Sequence, residues 1–262
     1  MTKHAYVEPI LEKMARINDL IDATLGIELT DEDFSDGREE LLHIYCHEAC
    51  HAALAHCVPW LHDLPESEHT LVDEVLARLL EKVFAPRLGL FLHSDDEFLV
   101  ELSMYPVDLP SGTFERLDAA WQSTFWPRQD LDGMAVYTLM TLRHGELVYH
   151  ILPRADWKAA KKAGAYRPAS LKDQGFIHFS RVEQVLPVAA NFYSAQRDLL
   201  LLTIAVEKLE GEIIYEDLLG EGQRFPHLYD ALNLDAVVAV KEFIQDEAGT
   251  FRLPYTQPKG WK

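Results

Sequence analysis

The stretch Leu41–Cys57, LLHIYCHEACHAALAHC, contains His47-Glu48-Ala49-Cys50-His51, an HExxH sequence. Residues four apart on a helix stand one above the other, so His47 and His51 can offer two imidazoles to one metal ion. Glu48, between them, is placed to take a proton from a water held there. The same letters also read as a His-rich amphipathic helix with solvated rings, since the chain has 12 His in 262 residues. Taking the stretch as a helix makes the first ninety residues helical throughout. An earlier amphipathic helix is expected over about 9–25, starting at Pro9. The HExxH helix is capped by Ser35 and stops before Pro59, and a third helix runs from about Ser67 to just before Pro86.

A protein-bound zinc ion usually has at least a third protein ligand. The next helix supplies Glu74, within His69–Phe84, HTLVDEVLARLLEKVF. Two His from one helix and a Glu from the following one resemble the HExxH zinc hydrolases of gluzincin-like type. That resemblance implies His47, His51 and Glu74 as ligands and Glu48 as general base. Two alternatives stay open. Cys57 falls where HExxHxxGxxH places its last ligand, although Leu54 stands in place of the glycine, and His43 offers an imidazole one turn earlier. Glu74, Arg78 and Glu81 share a helix face opposite Leu76, Leu79, Leu80 and Val83, which also fits a surface charge stripe with an i,i+4 ion pair. Typical zinc peptidases lay substrate along an edge strand beside the HExxH helix. With no strand read ahead of it here, peptide cleavage is the weaker expectation.

Composition narrows the classes. Apolar residues make up 48% and charged residues 26%, enough for a sizeable core in one large or two smaller domains. A net charge of −19 opposes binding to nucleic acid or anionic lipid. No apolar run reaches membrane-spanning length, and MTKHAYVEPI has no signal-peptide pattern, so a cytoplasmic location is expected. Cys46, Cys50 and Cys57 crowd within twelve residues, which suits small buried side chains better than a disulfide framework.

The expected fold is α+β. A mainly helical HExxH domain (1–90) is followed by a connecting α+β segment (91–146) that either completes the first domain or links the two. An α/β domain with a mixed sheet follows (147–262). In the connecting segment Phe98–Met104 and Met134–Leu142 read as strands and Phe114–Phe125 as a helix. Beyond it, Leu147–Leu152, Gly175–Ser180, Leu199–Val206, Glu212–Glu216 and Ala236–Phe243 read as strands. Helices are expected over Asp156–Ala163 and about 182–194. The most apolar strands imply burial on both faces.

His150, His178 and Glu216 stand in or beside these strands where core residues are expected. Buried polar groups need partners, so together they suggest a cleft. The blocks VYHILPRADWKAAKKAGAY (148–166), SLKDQGFIHFSRVEQV (170–185), DLLLLTIAV (198–206), IIYE (213–216) and FPHLYDAL (225–232) closely resemble the bacterial domain-of-unknown-function family 952. More remotely, that family is similar to the ADP-ribosyltransferase fold. The likeness implies that His150 holds an NAD ribose, that His178 stands where an aromatic ring stacks on nicotinamide, and that Glu216 acts catalytically. Ser180, Gln184, His227 and Tyr229 become further pocket residues. The segment from Arg154 to Asp173 carries six basic residues (Arg154, Lys158, Lys161, Lys162, Arg167 and Lys172) against Asp156 and Asp173. It suits either a phosphorylated ligand or the solvated face of a helix. Neither GxGxxG nor a P-loop sequence occurs.

The resulting expectation is a zinc-dependent hydrolase-type site joined to a domain that binds a nucleotide, acting on a small molecule or a peptide. The alternatives are an NAD-dependent ADP-ribosyltransferase-like enzyme and a non-catalytic binding or sensing module with a structural metal.

Overall fold

The computed structural model describes residues 42–255 except 89, 91, 93, 104–108 and 219, together with 19 and 23. The expected helix over 9–25 and the Ser35 cap lie outside these residues. The chain divides into two compact units, Met1–Leu139 with Gln257–Lys262, and Met140–Thr256. Among the described residues no helix is long and apolar enough to cross a membrane.

The first unit is helical where described. Helix α1 (Leu42–Cys57) buries Cys46, Ala49, Cys50 and Ala53, the three-to-four spacing of one helix face. A 3-10 turn, Pro59–Asp63, reverses the chain into α2 (Glu66–Leu88), which packs on α1. Pro86 sits inside the last turn of α2 rather than beyond its end. Two segments differ from expectation. Phe98 belongs not to a strand but to α3 (Asp95–Leu102). Its start is a capping box: the Ser94 hydroxyl accepts from the Glu97 N–H at 3.2 Å, and the Glu97 carboxylate accepts from the Ser94 N–H at 2.8 Å. Met134–Leu142 likewise lies in a helix, α5 (Leu131–His144). Residues 134–140 are all buried, so this stretch of the helix has no solvent face to give it an amphipathic period. Between them, α4 (Thr113–Ala120) runs on into a π-helical turn, Trp121–Phe125, and the Trp121 indole N–H donates to the Leu79 carbonyl of α2.

The second unit contains antiparallel sheets, not the mixed sheet of an α/β domain. Strand β1 (Leu147–Pro153) pairs with β4 (Leu199–Ala205), Leu147 opposite Ala205 and Pro153 opposite Leu199. β4 also pairs with β8 (Val237–Phe243). A second sheet runs β3 (Ile177–His178), β6 (Phe225–Leu228), β5 (Ile213–Glu216). β2 (Ala165–Tyr166) and β7 (Leu232–Asn233) form a small ladder. Every residue of β4 is buried, as its Leu-rich run predicts. β8 is an edge strand and is half-exposed, so burial on both faces fails there. The helices of this unit are α6 (Arg154–Ala163), α7 (Ala169–Asp173) and α8 (Val182–Phe192). Trp157 and Ala160 of α6 join Val148, Leu152 and Leu202 in the core.

Candidate functional site

The antiparallel packing of α1 on α2 brings His47 and His51 to Glu74. The two Nε2 atoms lie 3.0 Å apart, and the Glu74 Oε2 is 3.3 Å from that of His47 and 3.7 Å from that of His51. The point equidistant from all three is about 2.0 Å from each, the length of a Zn–N or Zn–O bond. A tetrahedral ion with such bonds has ligand atoms roughly 3.3 Å apart. The donor set, two imidazoles and a carboxylate, is therefore spaced as a zinc ion requires.

The outer nitrogens of both rings face further carboxylates. His51 Nδ1–H donates to Asp73 Oδ2 at 2.7 Å, a bond that leaves the lone pair of Nε2 directed at the cluster. His47 Nδ1 faces Glu81 Oε2 at 3.6 Å, and Glu81 is fixed by Arg78 at 2.9 Å. Burial alone would depress the His47 imidazolium, but hydrogen bonds to Glu74 and Glu81 outweigh it and lift its pKa to about 9. The same ion pairs hold Glu81 below the usual carboxylate range against the effect of burial.

Arg78 and Glu81 are 2% and 6% exposed, so the α2 stripe is not a surface feature. It continues as an ion network through Asp95 (Arg78 at 3.2 Å, Lys82 at 2.8 Å) to Asp118 (Lys82 at 2.6 Å). Among the described residues the metal-type cluster includes no cysteine. Cys46 and Cys50 are fully buried free thiols, and burial pushes the Cys50 thiol well up. Cys57 is a free, half-buried thiol near the carboxylate of Asp132. The side chain of His43 lies outside the described residues. Glu48 is exposed and lines a cavity of about 250 Å³ together with His51 and Asp73. Sequence reasoning passed over Asp73 and placed Glu81 on the Glu74 face only as part of a charge stripe. Their signal was positional, since Asp73 adjoins the proposed ligand and Glu81 follows it by two turns.

In the second unit the predicted residues are divided. His150 and His178 belong to different sheets, joined where Tyr149 bridges Ser180. His150 Nδ1–H donates to the His178 carbonyl at 2.7 Å, and its Nε2 accepts from the Tyr166 hydroxyl at 3.1 Å. Both nitrogens are used internally, and burial lowers its pKa to about 4. Glu216 joins His227 and Tyr229 instead. Its Oε2 accepts from the Tyr229 hydroxyl at 2.7 Å and from His227 Nδ1 at 3.2 Å, and these bonds hold its carboxyl below the usual range. The exposed His178 packs edge-on to Phe176 and to the buried His227, with ring centres 4.8 and 5.1 Å away. Burial and the neighbouring His227 lower its pKa. Buried Ser180 exchanges backbone bonds with Tyr149 at 2.8 and 2.9 Å. The Gln184 oxygen accepts from the Arg181 N–H and its amide donates to the Arg224 carbonyl, each at 2.9 Å. In the basic segment, Arg154 pairs with Asp198 and Glu242, while Lys158, Lys161, Lys162, Arg167 and Lys172 are exposed.

Residues 151–240 match the family described as "Protein of unknown function (DUF952)", the family expected from the five sequence blocks. The crystal structure of protein CC0527 from Caulobacter crescentus is 37% identical over 41% of this chain and 94% of that one, with a TM-score of 0.38. The solution NMR structure of the same protein is 38% identical over 40% of this chain and 90% of that one, with a TM-score of 0.36. No curated protein matches. The family match lies wholly within the second unit, apart from the His47–His51–Glu74 cluster.

Proposed function

We propose that the N-terminal unit is a metal-dependent hydrolase module that binds zinc through His47, His51 and Glu74. The supporting observation is the triangle of 3.0, 3.3 and 3.7 Å formed by their donor atoms, whose equidistant point lies about one Zn–ligand bond from each. Zinc in such a site supplies Lewis acidity toward a carbonyl and toward water. Asp73 fixes the His51 tautomer, and the Glu81–Arg78 pair restrains His47 from its outer side. Glu48, exposed on the cavity wall beside His51, takes the proton from the attacking water and returns it to the leaving group. The described cluster offers three protein donors, and structural zinc sites are closed by four, which favours a catalytic over a purely structural metal.

The test is metal analysis of the purified full chain by mass spectrometry, beside His47→Ala and Glu48→Gln. The reading expects about one zinc per chain, lost in His47→Ala and kept in Glu48→Gln, with hydrolysis abolished in both variants. A metal-free protein overturns it. Zinc kept with activity unchanged in Glu48→Gln reduces the site to a structural one.

A further inference from the structure

The outward face of the β3–β6–β5 sheet collects side chains that the zinc reading does not use. We infer that this face is a binding site for a guanidinium group, carried by a small guanidino compound or by an arginine side chain. Register fixes which residues share the face. His178 and Ile214 lie opposite His227, and Glu216 lies opposite Phe225, so these five stand on one side of the sheet. The alternate residues Ile177 and Leu228 point into the core of the unit. Phe176 and Tyr229, each one residue beyond its strand, return to the outward side. The Phe176 ring centre is 4.8 Å from that of His178, 4.4 Å from that of His227 and 5.4 Å from that of Tyr229. Phe176 and His227 are buried within this group, whereas His178 and Tyr229 are exposed.

Hydrogen bonds within the group use up its donors and leave acceptors over. Glu216 Oε2 accepts from the Tyr229 hydroxyl at 2.7 Å and from His227 Nδ1–H at 3.2 Å. Both bonds fall on one oxygen, which pins the carboxylate and leaves Oε1 without a partner among the described residues. With its proton on Nδ1, His227 keeps a lone pair on Nε2. His178 Nε2–H donates to Gln174 Oε1 at 2.6 Å, so its Nδ1 is likewise an acceptor. Glu216 is held ionised by a hydroxyl and an imidazole, and no described lysine or arginine forms an ion pair with it. The face therefore presents a fixed carboxylate, unused acceptors and exposed rings. An anion, whose polar atoms are all acceptors, meets no matching donor there. A guanidinium matches each feature: it is a cation with five N–H donors and no acceptor, and its flat face stacks on aromatic rings. The net charge of −19 draws such cations toward the chain. Neither zinc nor the helical unit enters this inference.

Titration of the full chain with methylguanidinium, followed by proton NMR of the His178 ring, tests this, with the resonance assigned by His178→Gln. Methylguanidinium is expected to shift that resonance and to bind about tenfold more tightly than methylammonium, which has the charge without the plane. Glu216→Gln, which keeps the shape and removes the charge, is expected to weaken binding about tenfold or more. Tyr229→Ala, which removes the exposed ring, is expected to weaken it about threefold. A blocked Gly-Arg-Gly peptide separates the two carriers: tighter binding than methylguanidinium assigns the site to an arginine side chain, weaker binding to a small guanidino compound. No shift of the His178 ring, equal affinity for methylammonium, or unchanged affinity in Glu216→Gln overturns the inference. If Glu216→Gln does not fold, unchanged affinity in Tyr229→Ala overturns it instead. NAD acting on the same resonance more tightly than every guanidino probe also overturns it.

Discussion

The two units treat their histidines in opposite ways. In the helical unit His47 and His51 turn their Nε2 atoms toward each other and toward Glu74, an arrangement that concentrates three donors at one point. In the β-rich unit His150 has a carbonyl on one nitrogen and a hydroxyl on the other, a pairing made within the protein. The first sets its rings among carboxylates, which favours a cation, proton or metal, at the centre. The second is stable with the ring neutral. Burial raises the cost of an unpaired polar group in both places, but only the first arrangement turns several donors toward one another. A cluster of histidines is therefore informative through where its lone pairs point, not through its number.

The sharpest way to break this contrast is to remove one ring from each unit. His51→Ala should weaken zinc binding on the order of a thousandfold, by loss of a direct ligand, whereas His150→Ala should leave zinc affinity unchanged; competitive titration against a chelator measures both.

Acid should act on the second unit through His150. The folded His150 has a pKa of about 4, against 6.5 when unperturbed, so between those values the unfolded chain binds a proton that the folded one refuses. Its contribution to stability is therefore complete above pH 6.5 and is lost as pH falls toward 4, on the order of 2–3 kcal/mol. Denaturant unfolding of the full chain at pH 7 and 4.5 checks the sign, and His150→Gln should reduce the dependence.

A smaller effect is expected around the first ring pair. Asp73→Ala removes the partner of His51 Nδ1 and should reduce zinc affinity by roughly 10–100-fold, with Asp73→Asn recovering part of the loss. The smallest concerns Gln184. Gln184→Ala removes the bonds to Arg181 and Arg224 and should cost about 1 kcal/mol in thermal unfolding, with no effect on zinc.

Sequence made some of this legible and hid the rest for physical reasons. The HExxH spacing and the choice of Glu74 could be read because helical periodicity carries over a turn and α2 follows α1 by a short connection. The strands misassigned at Phe98 and Met134 came from apolar runs, which look alike in a buried helix and a buried strand. At Phe98 the Ser94–Glu97 capping box was the available local signal. For Met134–Leu142 the run carries no comparable break. The role of Arg78 was hidden because its partner Asp95 is seventeen residues away, and only tertiary packing reveals that the stripe is interior. The separation of His150 from Glu216 depends on two sheets where one was expected, and strand order is not written in periodicity.

The most direct test of the account is a zinc titration of the metal-stripped full chain near neutral pH, with proton release followed in the same experiment. One ion should bind per chain, releasing the proton that His47 holds, and binding should vanish in the His47→Ala/His51→Ala double variant. No uptake of zinc, or equal uptake by the double variant, would contradict the claim that His47, His51 and Glu74 converge on a single cation.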